Sequence, residues 1–110
     1  MTTMSLSTLA TRELERARVS AAGRSAATVY GSHGHTLRQT MIALTSGATL
    51  AEHESPGEAT LHVISGHVRL DEGDDSWEGR AGDLIIIPPA RHALAALADA
   101  VVLLTVAISH

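Results

Sequence analysis

The side chains in this chain that could do chemistry are imidazoles and carboxylates. Seven histidines and twelve Asp and Glu residues are present, and there is no cysteine. A thiolate metal centre and a disulfide framework are therefore both excluded. Without sulfur, these groups can build a mixed nitrogen and oxygen metal site with open positions, of the kind that suits Fe, Mn, Ni or Zn. They can also line a pocket in which an imidazole meets a small ligand. His92 stands out by position, because it follows the run LIIIPPAR. Proline has no N–H for a ladder and fixes its own backbone, so a strand must stop there and the chain must turn. His92 then opens the next element. Glu58 and His62 are four residues apart, which on a strand puts both on one face. Arg38 and Gln39 are consecutive on another strand-like segment, so alternation sends one of them inward. A buried polar group needs a partner, and Gln39 is taken as the candidate ligand-binding residue. The pair His33 and His35 has metal-like spacing but sits in GSHGH, whose composition is that of a surface loop.

The elements that must position these residues follow from periodicity. Leu6, Leu9, Ala10, Glu13, Leu14, Ala17 and Ala21 recur at steps of three and four, which predicts a helix from Ser7 to about Ala22. Gly23 is its natural stop. After Gly23 the period becomes that of strands. AATVY, LRQTMIAL, LAEH, TLHVIS, HVRL, SWEG, DLIII, HALAAL and VVLLTVAI are separated by Gly, Pro and Asp punctuation. Such spacing predicts an all-β protein, a small antiparallel β-barrel with a short N-terminal helix. Residues 1–24 form the tail and helix, and residues 25–110 form one barrel domain. VVLLTVAI is apolar on successive residues, so both of its faces must be covered. The outer face then meets the N-terminal helix or a second copy of the chain, and a homodimer is expected.

Composition bounds the rest. The chain has 110 residues, enough for one core. Phe is absent, and Tyr30 and Trp77 are the only large aromatics, so the core is built from Val, Ile, Leu and Ala. The net charge is −4, every basic residue is Arg, and the Arg12, Arg16, Arg18, Arg24 cluster is interleaved with Glu13 and Glu15. This is not the basic face of a nucleic-acid binder. The N-terminus lacks the basic head and apolar stretch of a signal peptide. No apolar run is long enough to span a bilayer. The expected setting is the cytoplasm, with no membrane and no nucleic-acid partner. The acidic run Asp71 to Asp75 lacks the ligand spacing of a calcium loop and reads as a solvated turn, with Trp77 covering the barrel end.

Two segments, GATLAEHESPGEATLHVISGHVRL and GDLIIIPPARHAL, resemble the two motifs of the cupin superfamily. In the second, Gly82, Pro88 and His92 take the motif positions of Gly, Pro and His, while Ala90 and Ala96 stand where the family has Gly and Asn. In the first, Gly47 and Gly66 take the flanking positions, and two registers fit what lies between. The register set by Gly66 matches His53 to the first motif His, Ser55 to the second and Ala59 to the Glu. A register with a one-residue bulge matches His53 to the second His and Glu58 to the Glu, with Ala51 in place of the first His. The resemblance implies a jelly-roll barrel whose interior holds a divalent metal on His53, Glu58 and His92, with His62 as a further ligand-binding residue, and with open positions for a small molecule. His92 is expected to point into the barrel mouth near His53. The functional expectation is a small cupin barrel that binds a small molecule, through such a metal or without one. The alternative is a non-catalytic ligand-binding, regulatory or interaction barrel with no metal, which the missing His-x-His favours.

Overall fold

The computed structural model describes residues 1–53, 57–88 and 90–108. Helix α1 spans Leu6–Val19, and the Ser5 hydroxyl caps it by accepting the Thr8 N–H at 3.2 Å. It ends earlier than its apolar spacing suggests, because Ser20 is already extended. Ala21 and Ala22 belong to the turn that leads into Gly23. That residue has a φ of 69°, and a Cβ there would lie 2.4 Å from Thr45 Oγ1. Both the conformation and the space therefore require glycine.

Nine strands follow: β1 Arg24–Tyr30, β2 Leu37–Leu44, β3 Thr49–His53, β4 Gly57–Ser65, β5 His67–Glu72, β6 Asp75–Arg80, β7 Leu84–Ile86, β8 His92–Ala96 and β9 Ala100–Ile108. They form two antiparallel sheets, one in the order β1-β2-β9-β4-β7 and the other in the order β3-β8-β5-β6. The expected all-β architecture with one short helix is the one observed. It takes the form of two facing jelly-roll sheets rather than a single closed ladder. HALAAL is a strand, and the LIII strand stops at Ile86, ahead of Pro88.

The interior between the sheets is filled from alternate positions. Ile42 and Leu44 enter from β2, Ala59, Leu61 and Val63 from β4, Val68 and Leu70 from β5, Leu94 and Ala96 from β8, and Val102 and Val106 from β9. On the other face of β9, Val101 and Leu103 join Met41 and Ala43 in a second cluster under Ala10 and Ala17 of α1. This explains the continuous apolar run of β9: one face lines the interior and the other lies under the helix. The cover comes from the chain itself, so β9 by itself does not require a second copy. At the edge of the same helix interface, the buried Glu13 carboxylate accepts from the Ser25 hydroxyl and from Arg16 Nη1 at 3.2 Å. A buried carboxylate without such donors would carry a large desolvation cost. Among the described residues, no helix is long and apolar enough to cross a membrane.

Candidate functional site

His92 is one of two buried polar or charged residues among those described, with 3% of its surface exposed. It opens β8 and faces the interior with Leu94 and Ala96. Its Nδ1 lies 2.9 Å from the Ala90 carbonyl oxygen. That oxygen can only accept, so Nδ1 carries the proton and the ring is oriented from behind. In the neutral imidazole Nε2 is then the basic nitrogen. Among the described residues, His92 is the single polar one lining a cavity of about 70 Å³ whose other walls include Ile42, Leu50, Leu61, Leu94 and Leu104. The turn that delivers it was expected from Pro88 and Pro89. Pro88 is in place between β7 and β8, while Pro89 lies outside the described residues.

His53 ends β3 and is the register partner of His92. Their Cα atoms are therefore neighbours across the ladder, about 4.5–5.5 Å apart in ordinary antiparallel pairs. The pairing runs Thr49 to Ala95 and Leu50 to Leu94, and then steps three residues on β3 for two on β8 to reach His53 and His92. That is a one-residue bulge, and it is what brings His53 level with His92. The side chain of His53 and the whole of Ser55 lie outside the described residues.

The other expected ligands sit elsewhere. On β4, Ala59, Leu61 and Val63 are buried in the interior, so Glu58, Thr60 and His62 take the opposite face. Glu58 is exposed opposite Ala107, and His62 is half-buried between Leu84 and Leu103. The first motif thus combines the bulge of one register with the inward Ala59 of the other. Among the described residues, no group of three His, Cys, Asp or Glu side chains could hold a metal ion.

On β2 the phase is the reverse of the one chosen from the sequence. Ile42 and Leu44 face the interior, Met41 and Ala43 face the helix, and alternation carries Arg38 inward and Gln39 outward. Gln39 Nε2 donates to Thr105 Oγ1 at 3.3 Å, beside Leu6 and Tyr30 in a groove under the start of the helix. Arg38 is therefore the interior polar residue that was missed. In the 31–36 loop, His35 Nδ1 accepts from the Ser32 N–H at 2.9 Å, and His33 is exposed.

A family model described as the cupin domain matches residues 40–108, well over half of the chain. No curated protein sequence matches it. Among solved structures, a conserved protein of unknown function from Streptococcus pyogenes is similar with a TM-score of 0.73 at 24% identity, over 83% of this chain and 79% of that one. A cupin superfamily protein from Desulfitobacterium hafniense DCB-2 has a TM-score of 0.71 at 16% identity, over 78% of each chain. An HTH_3 family transcriptional regulator from Vibrio cholerae has a TM-score of 0.66 at 20% identity, over 79% of this chain and 52% of that one. At these identities the likeness is one of fold.

Proposed function

Since the chain belongs to the cupin family, we propose that the His92 end of its interior binds a small molecule. One observation carries this reading: a buried imidazole, oriented by the Ala90 carbonyl, is the one polar group that the described residues place in an otherwise apolar cavity. An apolar enclosure with one placed polar group is the usual make-up of a small-ligand site. The cavity alone has room for about three carbon atoms, judged against a 150 Å³ cavity that takes benzene, so the rest of a ligand must lie in the mouth above it.

The metal form of the reading keeps His92 and its register partner His53 as the two imidazole positions, and Fe, Mn, Ni or Zn as the ions such donors suit. Glu58 and His62, expected with them, lie on the other face of β4. The described residues thus leave the third ligand of an open site unsupplied and do not fit a resident metal, so no chemical step is derived through one. Elemental analysis of protein purified without added metal decides between the two forms. Less than about a tenth of an equivalent of any transition metal leaves the metal-free form standing. Stoichiometric metal that is lost in His92→Ala restores the other. The binding reading itself is tested by methyl and imidazole NMR against a mixed panel of small neutral and charged compounds. Shifts at Leu50, Leu94 and His92 support it, and a panel that moves none of them ends it.

A second reading places the barrel as the ligand-sensing part of a regulatory assembly. The likeness to a transcriptional regulator favours it. The homodimer belongs to either reading and rests on β7, where Leu84 and Ile86 are 59% and 69% exposed.

A further inference from the structure

We infer that Arg38 is the anchor for the acid group of the ligand, and that the site takes short aliphatic carboxylates. This rests on the interior-binding reading above and names its ligand class. The alternation of β2 puts Arg38 on the interior face, two positions beyond Thr40 and four beyond Ile42, which lines the His92 cavity. Its register partner Val106 is an interior residue paired in turn with Ala59, and the Ala59 carbonyl accepts from the N–H of Ile87, another wall of that cavity. Arg38 therefore belongs to the row of interior positions at the end of the sandwich where His53 and His92 meet.

The chain closes over the stem of this arginine. Gly31 has a φ of 97°, and a Cβ there would stand 2.4 Å from the Leu37 carbonyl oxygen, 2.9 Å from Arg38 Cα and 3.1 Å from Arg38 Cγ. Only glycine allows that approach. The result is a guanidinium whose Nε is buried and has no hydrogen-bond partner among the described residues. The ion pairs of the described carboxylates go to Arg16, Arg18, His67 and Arg69 instead.

A guanidinium stays charged at any accessible pH. A buried N–H on it that lacks an acceptor costs free energy that neighbouring residues normally remove. Here the acceptor is to come from outside. Nε and one Nη present two parallel N–H groups, the fork that a carboxylate accepts with both oxygens. The described residues of the space below are Leu, Ile and one imidazole, which suits an aliphatic remainder. A carboxylate at Arg38 with its tail running toward His92 satisfies both ends of the site.

The test compares sodium butyrate, isovalerate and hexanoate with their primary amides, by calorimetry and by the NMR signals of Arg38 Nε–H and the Leu50 and Leu94 methyls. Acids binding at least tenfold more tightly than amides, with the Arg38 Nε–H signal shifting, is the expected result. Arg38→Gln should bring the acids down to the level of the amides, and Arg38→Lys should recover part of the preference. Equal binding of acid and amide by the unsubstituted protein overturns the inference while leaving interior binding intact, and that comparison needs no variant to fold. Acid preference that survives in Arg38→Gln also overturns it. If neither series moves the interior methyls, the carboxylate assignment is overturned. The binding reading then stands or falls by the wider compound panel.

Discussion

The outer face of the five-stranded sheet has two halves that read alike in sequence and differ in the folded chain. Over β2 and β9, Met41, Ala43, Val101 and Leu103 are buried beneath Ala10 and Ala17 of the helix. Over β7, Leu84 and Ile86 are left bare, beside His62 and Thr60 of β4. LIII is an unbroken apolar run, and VVLLTVAI is one but for Thr105. Such a run tells that two faces want cover, and it does not tell what supplies it. For β9 the chain answers with its own helix. For β7 the described residues hold no answer, so any second copy is to be sought there rather than at β9.

The sharpest way to break the comparison is to put the same charge into each half. Met41 is 1% exposed under the helix. Met41→Asp would bury a carboxylate with no donor and open a void, and should cost about 4 kcal/mol or more. Urea unfolding measures this, and a loss below about 1 kcal/mol would mean that the helix lies on the sheet only loosely. Ile86→Asp should change the stability of a single chain by no more than about 0.5 kcal/mol, as exposed substitutions do. Its effect should instead be on mass. If β7 joins two copies, sedimentation at micromolar concentration gives a dimer for the unsubstituted chain and a monomer for Ile86→Asp. A monomer for both would remove the homodimer.

The same two-sided burial explains what the sequence could show. The strands, the helix and the interior position of His92 were legible, because punctuation by Gly and Pro marks strand ends whatever covers the faces. The phase of β2 was not. In MIAL both faces are apolar, one for the interior and one for the helix, so period-two counting could not say whether Arg38 or Gln39 turns inward. The phase of β4 was hidden for a different reason. Glu58 and His62 share a face, as alternation requires, and their chemistry suggests a site. The other face is Ala59, Leu61 and Val63, which is simply a better core. The bulge ahead of His53 was open to the sequence as one of two registers. Only the pairing with β8 shows that it lies between Leu50 and His53.

The smallest expected effect concerns how the helix-covered half is tied down. Asp99, in the turn between β8 and β9, accepts the Ser46 N–H at 2.8 Å and Arg18 Nη2 at 3.2 Å. Arg18 belongs to the last turn of α1, so the carboxylate links the helix to the loops at one end of the sheets. The Ser46 N–H first, and Arg18 after it, hold its carboxyl below the usual aspartate range. A group whose folded pKa is depressed contributes stability that is present above its unfolded value, about 3.9, and is lost as pH falls through the folded value. Asp99 should therefore add to the fall in melting temperature below about pH 4, and Asp99→Asn should flatten that part of the curve by removing the Asp99 share at neutral pH, while leaving the most acidic end little changed. The order of causes can be checked as well. Arg18→Gln should remove less of the acid-side slope than Asp99→Asn, because the backbone bond to Ser46 remains, and added salt should screen the exposed Arg18 share first. If Arg18→Gln and Asp99→Asn flatten the curve equally, the ion pair and not the Ser46 amide sets the acid response.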